Sequence, residues 1–336
     1  PRRFWKLGHA EQNLEFGFSP GLWAEPRPRV REGAVLVPGG FWICKAKMKR
    51  AFPILAILTA VLLGYALHGA LISAPTEQTM GDVQRIFYYH VPSAWTAFLL
   101  FFINFIASIQ YLVRPQPRAD RVAKWIAIAV SIAACLAALA IALRPIPYDV
   151  RPSAVLITGF VITGIYFVIR EYFSDEGTDA LALVAAEVGV VFCTVVLVTG
   201  PIWARPVWGI WWAPGDIRLT STLVMWLIYV SYLVLRRFSS SSQTARLAAA
   251  LAVFGAVDIP LVYFSIWFFR TQHPQPVIGG GGSIDVRMLQ VLLLNWLAFL
   301  CLAGLVCWSR YRLEILQRQL DQAQAFESLE GPRNSR

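Results

Sequence analysis

Residues 179–221 read DALALVAAEVGVVFCTVVLVTGPIWARPVWGIWWAPGDIRLTS. The first part, 179–199, holds a single interior charge, Glu187, and as a helix it is long enough to cross the roughly 30 Å hydrocarbon core of a bilayer. The second part crowds Trp203, Trp208, Trp211 and Trp212 together with Arg205, Asp216 and Arg218, just before another apolar run at 219–235. Two spans joined by an aromatic, charged segment describe a membrane protein whose unusual residues gather at one interface.

Working outward, the same pattern repeats. Apolar runs long enough to span occur at 52–73, 93–113, 124–143, 154–170, 179–199, 219–235, 247–267 and 288–308. A composition of 57% hydrophobic and 15% charged residues over 336 positions excludes a soluble domain around one core. Lipid offers no partner to backbone N–H and C=O groups, so these runs predict an all-α fold, a polytopic membrane bundle of about eight transmembrane helices.

The net charge of +10 does not point to nucleic acid, because the basic residues are scattered at the ends of apolar runs, where they face headgroups. Lys49, Arg50, Arg114, Arg118, Arg121, Lys124, Arg170, Arg236, Arg237, Arg246, Arg310 and Arg312 fall on one side. Arg85, Arg144, Arg151, Arg205, Arg218, Arg270 and Arg287 fall on the other. The positive-inside rule makes the first side cytoplasmic, which puts both termini inside and the Trp-rich segment outside. The five cysteines include no Cys-x-x-Cys pair, and four lie in or beside spans as small hydrophobes.

Three regions follow. Residues 1–47, rich in Pro, Arg, Gly and Trp and ending just before Met48, read as a disordered or extraneous N-terminal extension. Residues 48–309 form the transmembrane domain, with an external Trp-rich loop at 200–218. Residues 310–336 form a cytoplasmic tail in which Leu313, Leu316 and Leu320 share helical spacing, as a partner-binding helix or one packed along the membrane.

This topology gathers two histidines at the outer interface. His90 precedes the second span in RIFYYHVPSAW, residues 85–95, and His273 follows the seventh in WFFRTQHP, residues 267–274. Two neutral imidazoles facing each other are an axial pair for haem iron; aromatic rings cover a porphyrin, and arginines pair with its carboxylates. Arg85, Arg205, Arg218 and Arg270 all lie on this side. Tryptophans also gather at interfaces simply as anchors, and lone histidines are often structural. The coincidence of His90, His273 and the Trp203–Arg218 segment on one face weakens those readings and sets a haem site beside them. His68, inside the first span, suits packing or an interhelical hydrogen bond equally well, and Glu187 and Asp258 read mainly as intramembrane polar contacts. Pro260 is expected to kink the seventh span and aim its end toward His273.

The strings at 85–95 and 199–212, together with Asp216-Ile-Arg218-Leu-Thr220-Ser221 and Arg270-Thr-Gln-His273, resemble the haem exporter protein C family (CcmC) from about Met48 to Trp308. That family belongs to the haem-handling superfamily with a Trp-Trp-Asp signature and serves system I cytochrome c maturation. The resemblance implies that haem b is held non-covalently between His90 and His273 and contacts Trp203, Trp208, Trp211, Trp212 and Asp216. It further implies handover to the periplasmic chaperone CcmE, with CcmD and the ABC-type subunits CcmA and CcmB as partners, in a bacterial inner membrane. The role implied is presentation, not catalysis. No Walker A loop and no Cys-x-x-Cys-His occurs, so ATP hydrolysis and covalent haem attachment fall to other chains.

Two departures stand out. The usual Trp-Trp-x-Trp-Asp becomes Trp211-Trp212-Ala213-Pro214-Gly215-Asp216, one residue longer and one indole poorer, with Pro-Gly suited to a tight turn. Residues 124–170 add a pair of spans to the usual six, which leaves every later loop on its expected side. Other readings are a system II cytochrome c synthase subunit, a cytochrome b-like electron carrier and a permease without haem. The first lacks its Pro-Lys-Glu after the aspartate, and the second lacks paired intraspan histidines.

Overall fold

A computed structural model describes residues 45–143, 152–238, 241–269, 272–273 and 284–330. Arg144, Arg151, Arg270, the glycine run at 279–282, residues 1–44 and the last six residues lie outside the described residues. The elements are α1 (Lys45–His68) with a π-helical turn (Gly69–Ser73), a 3-10 turn (Asp82–Ile86) leading into α2 (Phe87–Val113), α3 (Pro117–Leu143), α4 (Pro152–Tyr172), α5 (Asp175–Trp208), α6 (Ile217–Phe238), α7 (Ser242–Ala256), α8 (Asp258–Phe268) and α9 (Val286–Glu330). They supply eight membrane-length segments, one for each apolar run, with α7 and α8 sharing a single span. The chain is an all-α, multi-pass membrane protein.

The frame of the bundle is α2 against α5, the most extensively packed pair. Gly189 makes this approach possible: a Cβ there would lie 2.7 Å from the Phe101 ring. Phe101 stacks on Tyr229 of α6 with centroids 3.8 Å apart and planes 7° from parallel, and Asn104 Nδ2 donates to the Ala182 carbonyl at 2.7 Å. Small residues at the contact and amides bridging backbones substitute for the hydrophobic effect, which lipid does not supply between helices.

At the end opposite the tryptophans, charges fasten α5, α6 and α9. Asp179 takes a bidentate pair from Arg236, at 3.0 and 2.6 Å, and a third contact from Arg318 at 2.9 Å. Glu187, the acid inside the quoted span, is held by Arg310 at 2.7 and 2.8 Å. These pairings show how an acid is tolerated within a span: a neighbouring helix meets it with a fork of donors.

The pair α3 and α4 docks through Arg114 at the end of α2. Its guanidinium donates to the carbonyls of Ile169, Arg170 and Phe173, to the Gln110 amide oxygen and to the Thr178 hydroxyl, at 2.7–3.1 Å. It thereby supplies donors to the carbonyls of Ile169 and Arg170 in the last turn of α4 and of Phe173 just beyond it. Asp120 and Arg170 join α3 to α4 by a bidentate ion pair.

Three boundaries differ from the sequence expectation. The stretch read as a loop from residue 200 is helical to Trp208, because Pro201 and Pro206 are accommodated within α5, which ends at Gly209 with φ 77°. The connecting segment is therefore 209–216 alone. The seventh span breaks at Val257, and the reason is Pro260, which has no N–H to give the Ala256 carbonyl four residues back. The tail, finally, is no separate element. Helix α9 runs 45 residues without interruption, about 67 Å at the usual rise, and Arg318 and Gln322 tie its far portion back to Glu176 of α5. Leu313, Leu316 and Leu320 lie on its exposed face.

Candidate functional site

The site is assembled at the tryptophan end from α2, α5, the 209–216 segment, the start of α6 and the residues after α8. His90 sits in the first turn of α2, not in a preceding loop, because the 3-10 turn Asp82–Ile86 runs straight into that helix. Its Nδ1 lies 2.9 Å from the hydroxyl of Thr199 on α5. His273 Nδ1 lies 3.4 Å from Asp216 Oδ2. Both Nδ1 atoms are thus engaged, and His90 is within electrostatic range of both His273 and Arg218.

Asp216 is the hub of this end. It is 3% exposed and sits immediately before α6, where Oδ1 accepts from the Leu219 amide at 3.1 Å as an N-cap. Its Oδ2 accepts from the Gln272 amide at 2.9 Å and faces His273. One carboxylate therefore starts α6 and anchors the segment carrying His273. Burial by itself pushes the Asp216 carboxyl up, but the bonds from His273, Leu219 and Gln272 together hold it below the ordinary carboxylate value.

The extra residue in the Trp-rich motif is absorbed locally. The Asp216 amide donates to the Ala213 carbonyl at 3.0 Å, closing a turn over Pro214 and Gly215, and the aspartate still reaches both α6 and His273. The aromatic wall is built edge to face. Trp203 meets Trp208 at 5.1 Å and 84°, and Trp208 meets His273 at 5.3 Å and 77°. Trp212 is half-buried and Trp211 is 59% exposed.

Of the four arginines read as propionate partners, Arg270 lies outside the described residues, and the other three differ in what they already do. Arg85 donates to the Ala70 carbonyl at 2.9 Å, to Thr76 at 3.2 Å and to Asp82 at 3.0 Å, clamping the π-helical turn onto the start of α2. Arg205 donates to the Gly209 carbonyl at the end of its own helix. Arg218 is half-buried, makes no side-chain hydrogen bond or ion pair among the described residues, and stands within electrostatic range of His90, Asp216 and Tyr263. Its guanidinium is the one in the described site free to meet an incoming carboxylate. His68 is exposed and bonds Ser73 of the same segment at 3.2 Å, a local contact and not one to a neighbouring helix.

Reading the residues by type missed Thr199 and Gly200. A Thr-Gly pair near the end of a span looks like ordinary helix filling; its role appears only when α2 lies against it. A Cβ on Gly200 would stand 3.4 Å from His90 Cε1, so the imidazole rests on bare backbone.

The comparison with known proteins follows this architecture. The model for the family described as "Heme exporter protein C" matches residues 42–146 and 146–326, with the junction between α3 and α4. This chain belongs to the haem exporter protein C family. It is similar to "Heme exporter protein C" of Bradyrhizobium diazoefficiens, 29% identical over 282 residues, 83% of this chain and 84% of that one. The protein of the same name from Haemophilus influenzae is 28% identical over 269 residues, 79% of this chain and 85% of that one. A "putative cytochrome c biosynthesis ccmC-like mitochondrial protein" of Marchantia polymorpha is 26% identical over 245 residues, 73% of this chain and 79% of that one. Family membership rests on nearly the whole described chain, including both helices that frame the site.

Proposed function

We propose that this haem exporter protein C family member handles haem for cytochrome c maturation by holding it at the outer membrane face and presenting it to the chaperone CcmE. The observation that carries the reading is the pair of imidazoles. His90 and His273 lie at one end of the bundle with Nδ1 engaged on each, and in this reading the Nε2 atoms are the ones offered to a metal. Trp203 and Trp208 offer an apolar wall beside His273. Arg218 is the favoured propionate partner, with Arg205 able to exchange a backbone carbonyl for a carboxylate. Arg85 holds structure first, and Arg270 completes the set named from sequence.

The cargo brings an iron that takes two axial nitrogens and a porphyrin whose carboxylates need cations. The protein's part is to bind, orient and shield: α2 presents one imidazole, Asp216 orients the other, and the indoles exclude water. The charge asymmetry at the span ends supports a bacterial inner membrane location with cytoplasmic termini and an outer site. The relatives' name, "Heme exporter protein C", is in keeping with an exporter complex of several proteins, in which we place CcmA, CcmB and CcmD beside this chain. In this reading the chain's task is delivery, with its residues binding and orienting the cargo.

The test is a haem titration of the purified full chain beside His90→Ala and His273→Ala. A low-spin six-coordinate spectrum in wild type, lost in either variant, is expected. Haem-free protein, or a spectrum indifferent to both changes, overturns the reading in favour of a permease.

A further inference from the structure

We propose that Thr199 is a positioning residue: its hydroxyl holds His90 as the Nδ1–H tautomer, so that Nε2 enters the site with its lone pair free. The proposal rests on the reading of His90 as a haem ligand, and it names a residue with no role in that reading so far.

Thr199 Oγ1 lies 2.7 Å from the Val195 carbonyl, one turn back on α5, and 2.9 Å from His90 Nδ1. A carbonyl oxygen only accepts, so the single hydroxyl proton goes to Val195. The oxygen then faces Nδ1 with a lone pair, and the only hydrogen bond it can form there is one it accepts from Nδ1–H. A neutral imidazole carries one ring proton, so Nε2 has none. That is the protonation state a metal requires.

Two further features fix the ring in this pose. Gly200, the next residue, puts bare backbone against His90 Cε1, where a methyl group would touch the ring at 3.4 Å. The helices bearing the two partners, α2 and α5, form the most extensive packing contact in the molecule, so the distance between them is set by the bundle and not by a loop. His273, which follows α8, is held at the same end by a different device, the Asp216 carboxylate at 3.4 Å, just before α6. One ligand is therefore oriented by a neutral hydroxyl within the helical frame, the other by an anion at its edge.

The experiment uses the full chain in nanodiscs with 15N-labelled histidine, at about pH 8, where an imidazole of ordinary pKa is neutral. Nitrogen shifts of the haem-free protein report the His90 tautomer directly, and haem titration reports its consequence. Wild type and Thr199→Ser are expected to show Nδ1–H. Thr199→Val, nearly the same shape without the hydroxyl, is expected to populate Nε2–H and to bind haem about 10-fold or more weakly, as orienting-partner losses do.

Nε2–H as the dominant form in wild type, or a Thr199→Val protein with unchanged nitrogen shifts, overturns the proposal. So does Thr199→Val with a shifted tautomer and unaltered haem affinity. A wild-type chain that shows the Thr199-dependent tautomer but binds no haem supports the tautomer assignment and separately sinks the ligand reading on which it stands.

Discussion

Replacing Asp216 tests whether one carboxylate serves two elements at once. Oδ1 accepts from the Leu219 amide at 3.1 Å and Oδ2 from the Gln272 amide at 2.9 Å. Loss of an N-cap acceptor costs about 0.5–2 kcal/mol, and loss of a hydrogen bond to an ionised group about 1.5–3 kcal/mol. At about 1.4 kcal/mol per tenfold, Asp216→Ala should speed amide exchange at Leu219 roughly 2- to 30-fold and at Gln272 roughly 10- to 150-fold. Asp216→Asn has only one terminal oxygen, so it can protect one of the two amides and should release the other. Site-resolved hydrogen exchange in nanodiscs reads both. The reasoning fails if the alanine variant leaves both amides as protected as wild type, or if the asparagine variant protects both. The pH dependence follows from the lowered carboxyl. A group with a depressed folded pKa contributes its stability above the unfolded value of about 3.9 and loses it as pH falls through the folded value. Protection of Gln272 should therefore persist at pH 5 and fade only below about pH 4.

Other consequences are direct. Asp179→Asn strands Arg236 and takes from Arg318 one of its two carboxylates, in a pair whose acid is 8% exposed; breaking such a pair costs about 3–5 kcal/mol, and a thermal midpoint in detergent no lower than that of a surface control would argue against the network. Arg114→Ala should raise hydrogen exchange in the last turn of α4 while leaving α6 unchanged, since the guanidinium's carbonyl acceptors are two residues of that turn and the one just after it; equal change in both helices would mean general loosening instead. Arg218→Gln should weaken haem binding about 10-fold or more, the scale of one charge-assisted bond. If Arg205→Gln has the larger effect, the cation assignment is reversed.

Much of this molecule was readable before any coordinates. The eight apolar runs each became a membrane-length segment, since length and hydropathy are the constraints a bilayer imposes. The expected turn at Pro214-Gly215 is present, and so is the break in the seventh span, though three residues earlier than Pro260, where the missing N–H acts. Less readable were features that depend on which helix lies beside which. Trp203 and Trp208 sit on helix because α5 tolerates two prolines. Thr199 gains meaning only against His90, and Arg114 only against the end of α4. Arg85, Arg205 and Arg218 are equivalent by sequence side alone, and are set apart by the backbone partners of Arg85 and Arg205.

The most direct test of the central claim is near-infrared magnetic circular dichroism of the haem-loaded, ferric full chain. The charge-transfer band of a low-spin ferric haem moves with its axial ligands, so it reads their identity as well as their number. The account predicts a bis-imidazole band in wild type that is lost from both His90→Ala and His273→Ala. A band of another ligand pair in wild type, or a bis-imidazole band that survives either substitution, would contradict it.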